Sequence, residues 1–317
     1  MKRLIAVICI ALLLLSMTAC EGKKQQYTIG ICQIQPHAAL DAATKGFKDA
    51  VIKALGEDSV KFLEKNAAGE FTNCGTIMDG FVAEDVDLIL ANATAPLQAA
   101  SSATGDIPIL GTSITDYATA LNISDWNGTV GGNISGTTDL APLDEQAQMI
   151  LDLFPDAKKV GLLYCSAEPN SVYQITQVQT YLEGKGITCE RYAFNDANDL
   201  NAVAETACSG SDVVYIPTDN TAATYAEAIG NVAVAAKCPI VCGEANTCAK
   251  CGVATLSIDY YDLGYVTGEM AVKILKGEAD IATMAIQSAP KFTKMYNKEI
   301  CEALGIEIPE GYVAIGE

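Results

Sequence analysis

Short runs rich in β-branched and apolar residues alternate with helical segments along this chain, and the whole series occurs twice. Strand-like runs fall at 27–34, 60–66, 88–92 and 107–110, then at 160–164, 188–194, 213–216 and 239–242. Such alternation predicts parallel sheets with helices on both faces. Nearly continuous apolar strands, such as Val160-Gly161-Leu162-Leu163-Tyr164, are what a sheet covered on both sides requires. About 290 residues follow position 26, more than one hydrophobic core ordinarily supports. The expected fold class is therefore α/β, with two doubly wound parallel-sheet lobes.

The two series echo each other in detail. Ile29-Gly30-Ile31 leads to Pro36 as Val160-Gly161-Leu162 leads to Pro169. Asp87-Leu88-Ile89-Leu90 leads to Ala93-Thr94-Ala95 as Asp212-Val213-Val214-Tyr215 leads to Asn220-Thr221-Ala222. Each half then has a Pro-apolar strand closing on glycine, Pro108 to Gly111 and Pro239 to Gly243. The spacing differs between the copies, so the echo is of topology and points to a duplicated half. A Gly/Ser/Thr-rich stretch at 131–138 is the candidate first crossover between halves, with others at 254–259 and 282–289 and a helix at 260–276 returning to the first lobe. This gives lobe one as 27–134 plus 260–282 and lobe two as 135–259 plus 283–317, joined by a three-strand hinge.

Lys2 and Arg3, an apolar run at 4–15 and the small residues before Cys20 form an export signal, since the run is shorter than the roughly 20 apolar residues that span a bilayer. Its end resembles a lipobox, with Met17 where that motif usually has Leu. The resemblance implies cleavage before Cys20, lipid attachment there, and anchoring on the extracytoplasmic face of the cell membrane. Cleavage to a free secreted protein is the other reading. Residues 21–26 are polar and unpatterned, as a tether would be. With two of the 20 basic side chains in the leader, 18 remain against 39 acidic ones. That excess repels phosphate backbones and argues against nucleic-acid binding.

Of twelve cysteines, ten lie beyond the leader and its Cys20, and several fall inside apolar strand runs. Cys32, Cys165 and Cys242 read as small core residues. Cys238, Cys242, Cys248 and Cys251 form a cluster with a CxxC spacing, for which a zinc or disulfide role stands beside the core reading.

The chain also resembles the type I periplasmic binding proteins, in particular the ABC-importer lipoproteins that include binders of tryptophan and other aromatic amino acids. The residues that carry the likeness are Ile29-Gly30-Ile31-Cys32-Gln33 with His37 to Ala42, Gly111 to Tyr117, Ser135 to Asp139, Tyr164 to Ser171, Pro217 to Asn220 and Ile258 to Gly264. The departure is Ala38 where the family usually has proline after the histidine. The resemblance implies two lobes that close on a small amino acid-like ligand, an aromatic one in this branch, and deliver it to an ABC permease with its ATPase subunits. It implies a monomer with no cofactor.

In open parallel sheets a ligand sits beyond the carboxyl ends of the strands, against helix starts. The residues there are Gln33, Gln35, His37, Asn92, Thr94, Ser113, Thr115, Ser166, Glu168, Asn170, Ser171, Asp219 and Asn220. Small hydroxyl and amide residues at helix starts suit a carboxylate, although helix capping accounts for each equally well. A buried ammonium group needs an anionic partner, and the candidates are Asp139, Glu168, Asp219 and Asp259. Asp259 is favoured by its place at a crossover, and Asp219 because it ends a central strand. Tyr117, Trp126, Tyr173, Tyr260 and Tyr261 are candidate ring platforms.

His37 is the single histidine, which removes sites built on two histidines and leaves one residue for any Ser-His-Asp arrangement. Ser113 lacks the GxSxG context of a nucleophile elbow, and no phosphate-cradling glycine pattern follows a strand. The expectation is a binder and not an enzyme, closing about a hinge. A lipoprotein sensor of the same fold, or a nucleoside or sugar binder, are the alternatives.

Overall fold

A computed structural model of the chain describes residues 26–316. The leader, Cys20 and residues 21–25 of the tether lie outside the described residues. Thirteen strands are present among the described residues: β1 (Tyr27–Gln33), β2 (Val60–Asn66), β3 (Leu88–Asn92), β4 (Ile109–Ile114), β5 (Ile134–Thr138), β6 (Lys159–Cys165), β7 (Thr188–Phe194), β8 (Val213–Ile216), β9 (Ile240–Cys242), β10 (Ala254–Ser257), β11 (Gln287–Ser288), β12 (Thr293–Tyr296) and β13 (Val313–Ala314). The α-helices between them are α1 (Ala38–Leu55), α2 (Phe71–Ala83), α3 (Thr94–Ala103), α4 (Tyr117–Leu121), α5 (Leu143–Leu153), α6 (Pro169–Gly184), α7 (Ala197–Gly210), α8 (Asn220–Thr224), α9 (Ala226–Ala236), α10 (Ala245–Cys251), α11 (Tyr260–Leu275) and α12 (Lys298–Leu304).

The strands form two sheets, ordered β11-β5-β4-β3-β1-β2 and β13-β12-β10-β9-β8-β6-β7. Within each, the first five strands of the half run in the order 2-1-3-4-5 and pair in parallel. The echo in the sequence is thus a repeat of topology. Alternate strand residues feed opposite faces, as pleating requires. In the first lobe Ile29, Ile31, Leu88 and Leu90 pack on Phe47 and Val51 of α1 and Met270 of α11. Cys32, Ile89 and Ala91 pack on Met78, Phe81 and Leu97 of α2 and α3. The second lobe is wound the same way around two clusters of its own.

The expected lobe boundaries need correcting. Residues 134–138 are not the first crossover: they are β5, pairing with β4 from Ile109↔Ile134 to Ile114↔Thr138. The stretch lacks an apolar run because its small polar side chains are satisfied inside the lobe. Ser135 Oγ donates to the Met284 carbonyl at 2.8 Å and the Thr137 and Thr267 hydroxyls are 2.8 Å apart. Likewise 254–257 is β10 of the second sheet, and 287–288 pairs with β5 in the first. The chain therefore changes lobes after Thr138, after Ser257 and after Ser288, the first and third later than expected and the second within the expected stretch.

The expected return helix is α11, and it lies against α1 at glycine-mediated contact. A Cβ at Gly264 would fall 1.9 Å from the Ala43 carbonyl oxygen, and one at Gly46 2.0 Å from that of Tyr261. Neither helix can accept even a methyl group there without separating. Cys238, Cys242, Cys248 and Cys251 are all buried in the second lobe, where Cys242 and Cys251 Sγ lie 3.8 Å apart. Their burial among apolar neighbours is the packing role. Gly264→Ala is expected to cost about 1–3 kcal/mol of stability through overpacking, read as a lowered melting temperature. An unchanged melting temperature would show that the two helices are free to move apart.

Candidate functional site

Because every strand of the parallel core runs the same way, the helix starts of both lobes collect at one edge of each sheet, and these edges face each other. Between them lies a narrow void lined from the first lobe by His37, Ala39, Leu40, Ser113, Thr115, Asp139 and Tyr260, and from the second by Asn170, Thr218, Asp219, Asn220, Ala223 and Glu244. A second narrow void shares the Asn170 and Asn220 walls and is bounded by Ile34, Gln35, Gly69, Phe71, Ala95, Glu168 and Thr221. No lysine or arginine lines either space. His37 Nε2 lies 3.2 Å from Asn220 Oδ1, bridging the lobes. Asn220 Nδ2 donates to Glu168 at 2.7 Å, so Asn220 Oδ1 accepts and His37 Nε2–H donates, which leaves His37 Nδ1 as a buried acceptor without a partner.

The helix starts of the two lobes differ in electrostatic character. In the second lobe the starts of α8 and α10 are filled by carboxylates. Asp219 accepts from Cys165 N at 2.7 Å and Ala222 N at 2.8 Å. Glu168 accepts from the amides of Asn220 at 3.0 Å and Thr221 at 2.8 Å and from both side chains. Glu244 accepts from the Asn246 and Thr247 amides. In the first lobe α1 begins at His37 and α3 at Ala93, neither with a side-chain cap. Uncapped starts leave amide donors and the positive end of the helix dipole for an incoming anion. Ala93 and Ser113 have φ of 98° and 55°, a costly conformation for side chains other than glycine. Ser113 is 7% exposed, and its Oγ lines the void with no partner.

Asp139, at the first crossover, is bound differently from the other acids. It is 4% exposed and its side chain accepts only two hydroxyls, Tyr260 at 2.9 Å and Thr115 at 3.2 Å. A carboxylate has about four lone-pair sites, so it keeps spare accepting capacity beside the void. Burial pushes its carboxyl up to about 6, against the pull of the Tyr260 and Thr115 hydroxyls and with help from the Glu244 charge. Burial and the Glu168 charge push Asp219 up to about 8.

Of the candidates read from sequence, His37, Ser113, Thr115, Asp139, Asn170, Asp219 and Asn220 line the first void and Gln35 and Glu168 the second. The others stand apart. Gln33 donates to Asp41 at 2.8 Å and Asn92 to the Leu40 carbonyl at 2.9 Å, both behind α1. Thr94 is buried as the first residue of α3, outside both linings. Ser166 is exposed and donates to the Phe194 carbonyl at 3.1 Å. Ser171 is buried behind Asn170.

Asp259 is a correction. It is exposed and caps α11, accepting from Tyr261 N at 2.8 Å and Asp262 N at 3.1 Å. Position at a crossover placed it near the cleft, but the helix start it caps turns its carboxylate outward. The ring platforms sort similarly: Tyr117 is buried, donating to the Thr137 carbonyl and stacking on Trp126, and Tyr261 bonds Asp49 on the outer face. Tyr260 alone of the five lines a void. Glu244 and Phe71 were not anticipated. Glu244 directly follows Gly243, so carrying the repeat one residue further would have found it; Phe71 had no signal.

Two α/β lobes closing a polar void between facing helix starts define a two-lobed solute-binding protein of the type I periplasmic binding fold. The family model for ABC transporter substrate binding proteins matches residues 28–315, and the chain belongs to that family, one of transport substrate-binding proteins and not of enzymes, whose members work outside the cytoplasm. It is 31% identical over 290 residues to the tyrosine-binding protein of Clostridioides difficile (strain R20291), covering 90% of this chain and 82% of that one. An ABC domain from Streptococcus pneumonia in complex with L-Trp superposes with a TM-score of 0.86 at 32% identity, covering 91% of this chain and 100% of that chain. A substrate binding protein with adhesive properties from Clostridium difficile, in its ligand-free, open structure, reaches 0.70 at the same 32% identity, covering 91% and 99%. At equal identity, the lobes here are arranged more like the L-Trp complex than like the open form. Asp259→Ala is expected to lose about 0.5–2 kcal/mol of stability as a lost cap while ligand affinity stays unchanged. A tenfold or greater loss of affinity at preserved fold, measured by calorimetry, would return it to the site.

Proposed function

We propose that the protein captures an aromatic amino acid between its lobes and delivers it to an ABC permease. The observation that carries this reading is a buried anion with spare accepting capacity beside uncapped helix starts, next to a second space whose wall includes Ile34, Phe71 and Ala95. Around Asp139, Ser113 and His37 the first void offers both an anion and uncapped helix starts, which match the two charges of an amino acid head group. Asp139 receives the ammonium group, since the other acids have their oxygens taken by amides. The starts of α1 and α3, with the unpartnered Ser113 hydroxyl, receive the carboxylate. Ile34, Phe71 and Ala95 then hold the ring, with a stacking gain of about 0.5–1.5 kcal/mol beyond area burial. The names of the relatives, one a tyrosine binder and one bound to L-Trp, support the same class of ligand.

The mechanism is hinge closure. Ligand seated on the first lobe gives the second lobe new contacts at Asn170 and Asn220, and closed lobes become the favoured state. The closed form is what the permease and its ATPase subunits receive, and a lipid on Cys20 holds the monomeric protein at the outer face of the membrane.

A thermal-shift screen of the twenty amino acids, nucleosides and simple sugars tests the ligand class. A ligand at a hundredfold excess over its Kd stabilises the native state by about 2.7 kcal/mol, so Tyr, Trp or Phe should raise the melting temperature while sugars do not. A rise only with sugars or nucleosides would overturn the reading. Phe71→Ala should weaken aromatic ligands by about tenfold and leave small amino acids unaffected, since truncating one ring removes roughly 1.4 kcal/mol of contact.

A further inference from the structure

The cleft holds four buried carboxyl groups and no lysine or arginine. Ionised acids crowded in such a space are costly unless donors or cations meet them. Glu168, Asp219 and Glu244 are met by backbone amides at helix starts. Their oxygens are held by these amides, which leaves them poorly placed to meet a ligand's cation. Asp139 is met by two hydroxyls only, and both are groups that also accept hydrogen bonds. A proton on Asp139 is therefore readily accommodated in the empty cleft, and a cationic group is the natural replacement for it.

We propose that ligand capture exchanges a proton for the ligand's ammonium group at Asp139, so that binding tightens as pH rises through the weakly acidic range. This rests on the reading of the cleft as an amino acid site and adds its regulation. In the exchange the Asp139 O–H bond breaks, the proton passes to solvent, and the carboxylate so formed accepts from the ammonium N–H groups. No oxidant or co-reactant takes part.

The groups facing Asp139 come from every neighbouring element: Thr115 from the β4–α4 turn, Tyr117 from α4, Tyr260 from α11, Glu244 from the β9–α10 turn, Asp219 from the β8–α8 turn and His37 at the start of α1. Tyr117 and Tyr260 are buried phenols whose ionisation is pushed well above the usual value by burial first and by Asp139 second. They stay neutral across the range concerned. Of the rest, Glu244 opposes ionisation of Asp139, and the pKa of about 6 that burial between the lobes gives it sets the window. Asp139 is raised in the empty protein and lowered once the ammonium group is beside it. Proton release is therefore complete well below pH 6 and absent well above it, and affinity falls roughly tenfold for each unit below pH 6. The ligand keeps both its charges throughout this range.

Calorimetry with L-Tyr and L-Trp at pH 8, 7, 6 and 5, in buffers of different ionisation enthalpy, counts the protons. About one proton is expected to leave at pH 5, half a proton at pH 6 and almost none at pH 8, with affinity about tenfold weaker at pH 5 than at pH 7.5. Asp139→Asn should bind more weakly at pH 8 and show neither the proton release nor the pH slope, its fold checked by thermal melting. Binding of aromatic amino acids at pH 8 with a flat affinity down to pH 5 would overturn the exchange and leave the ligand reading standing. A pH slope that survives in Asp139→Asn would overturn the assignment to Asp139, and failure of every amino acid to bind at pH 8 would overturn the ligand reading itself.

Discussion

Strand direction is the constraint on which everything else depends. When strands run parallel, each must be followed by a helix that carries the chain back, and every helix start then lies at the same edge of the sheet. Amide donors without partners gather there, and two such edges facing each other make a cleft that is polar by construction. The protein has resolved its two edges in opposite senses. Asp219, Glu168 and Glu244 fill the second lobe's helix starts with built-in anions, while His37 and Ala93 leave those of α1 and α3 without a side-chain cap. The free donors are thus left on the first lobe, and the acid with spare accepting capacity, Asp139, stands at its first crossover.

How much of this was legible in the sequence follows from which physical signals are local. Strand runs buried on both faces declare themselves by composition, and all eight appear as strands, β4 extending past Leu110 because Gly111 to Ile114 continue the ladder to β3 and β5. What was lost is where polarity and secondary structure part company. β5 reads as a linker because its serines and threonines find partners only in three dimensions, on Met284 and Thr267. The first crossover was accordingly placed too early.

The site was legible in part for the same reason. Residues at strand-to-helix junctions, such as Ser113, Thr115, Asp219 and Asn220, were found because the alternation of strands and helices was found. Whether a side chain there turns inward depends on the helix it caps, which no spacing reveals. Asp259 and Asp139 illustrate this: both stand at crossovers, but one has an oxygen held by two α11 amides and is exposed, the other has only two hydroxyls and is buried. Phe71 enters the cleft from the start of α2 in the same chain neighbourhood as a turn at Gly69, and nothing in its sequence surroundings marks it.

The glycine contact between α1 and α11 has a mechanical consequence. These two helices begin at His37 and Tyr260, both walls of the first void, and they touch backbone to backbone at Gly46 and Gly264. Helices so closely seated leave no side-chain layer to shear, so the pair transmits displacement as a single strut. The second crossover feeds directly into that strut at Asp259. Any swing of the second lobe therefore pulls on His37 and Tyr260 together, and the floor of the cleft keeps its shape while the opposite wall travels.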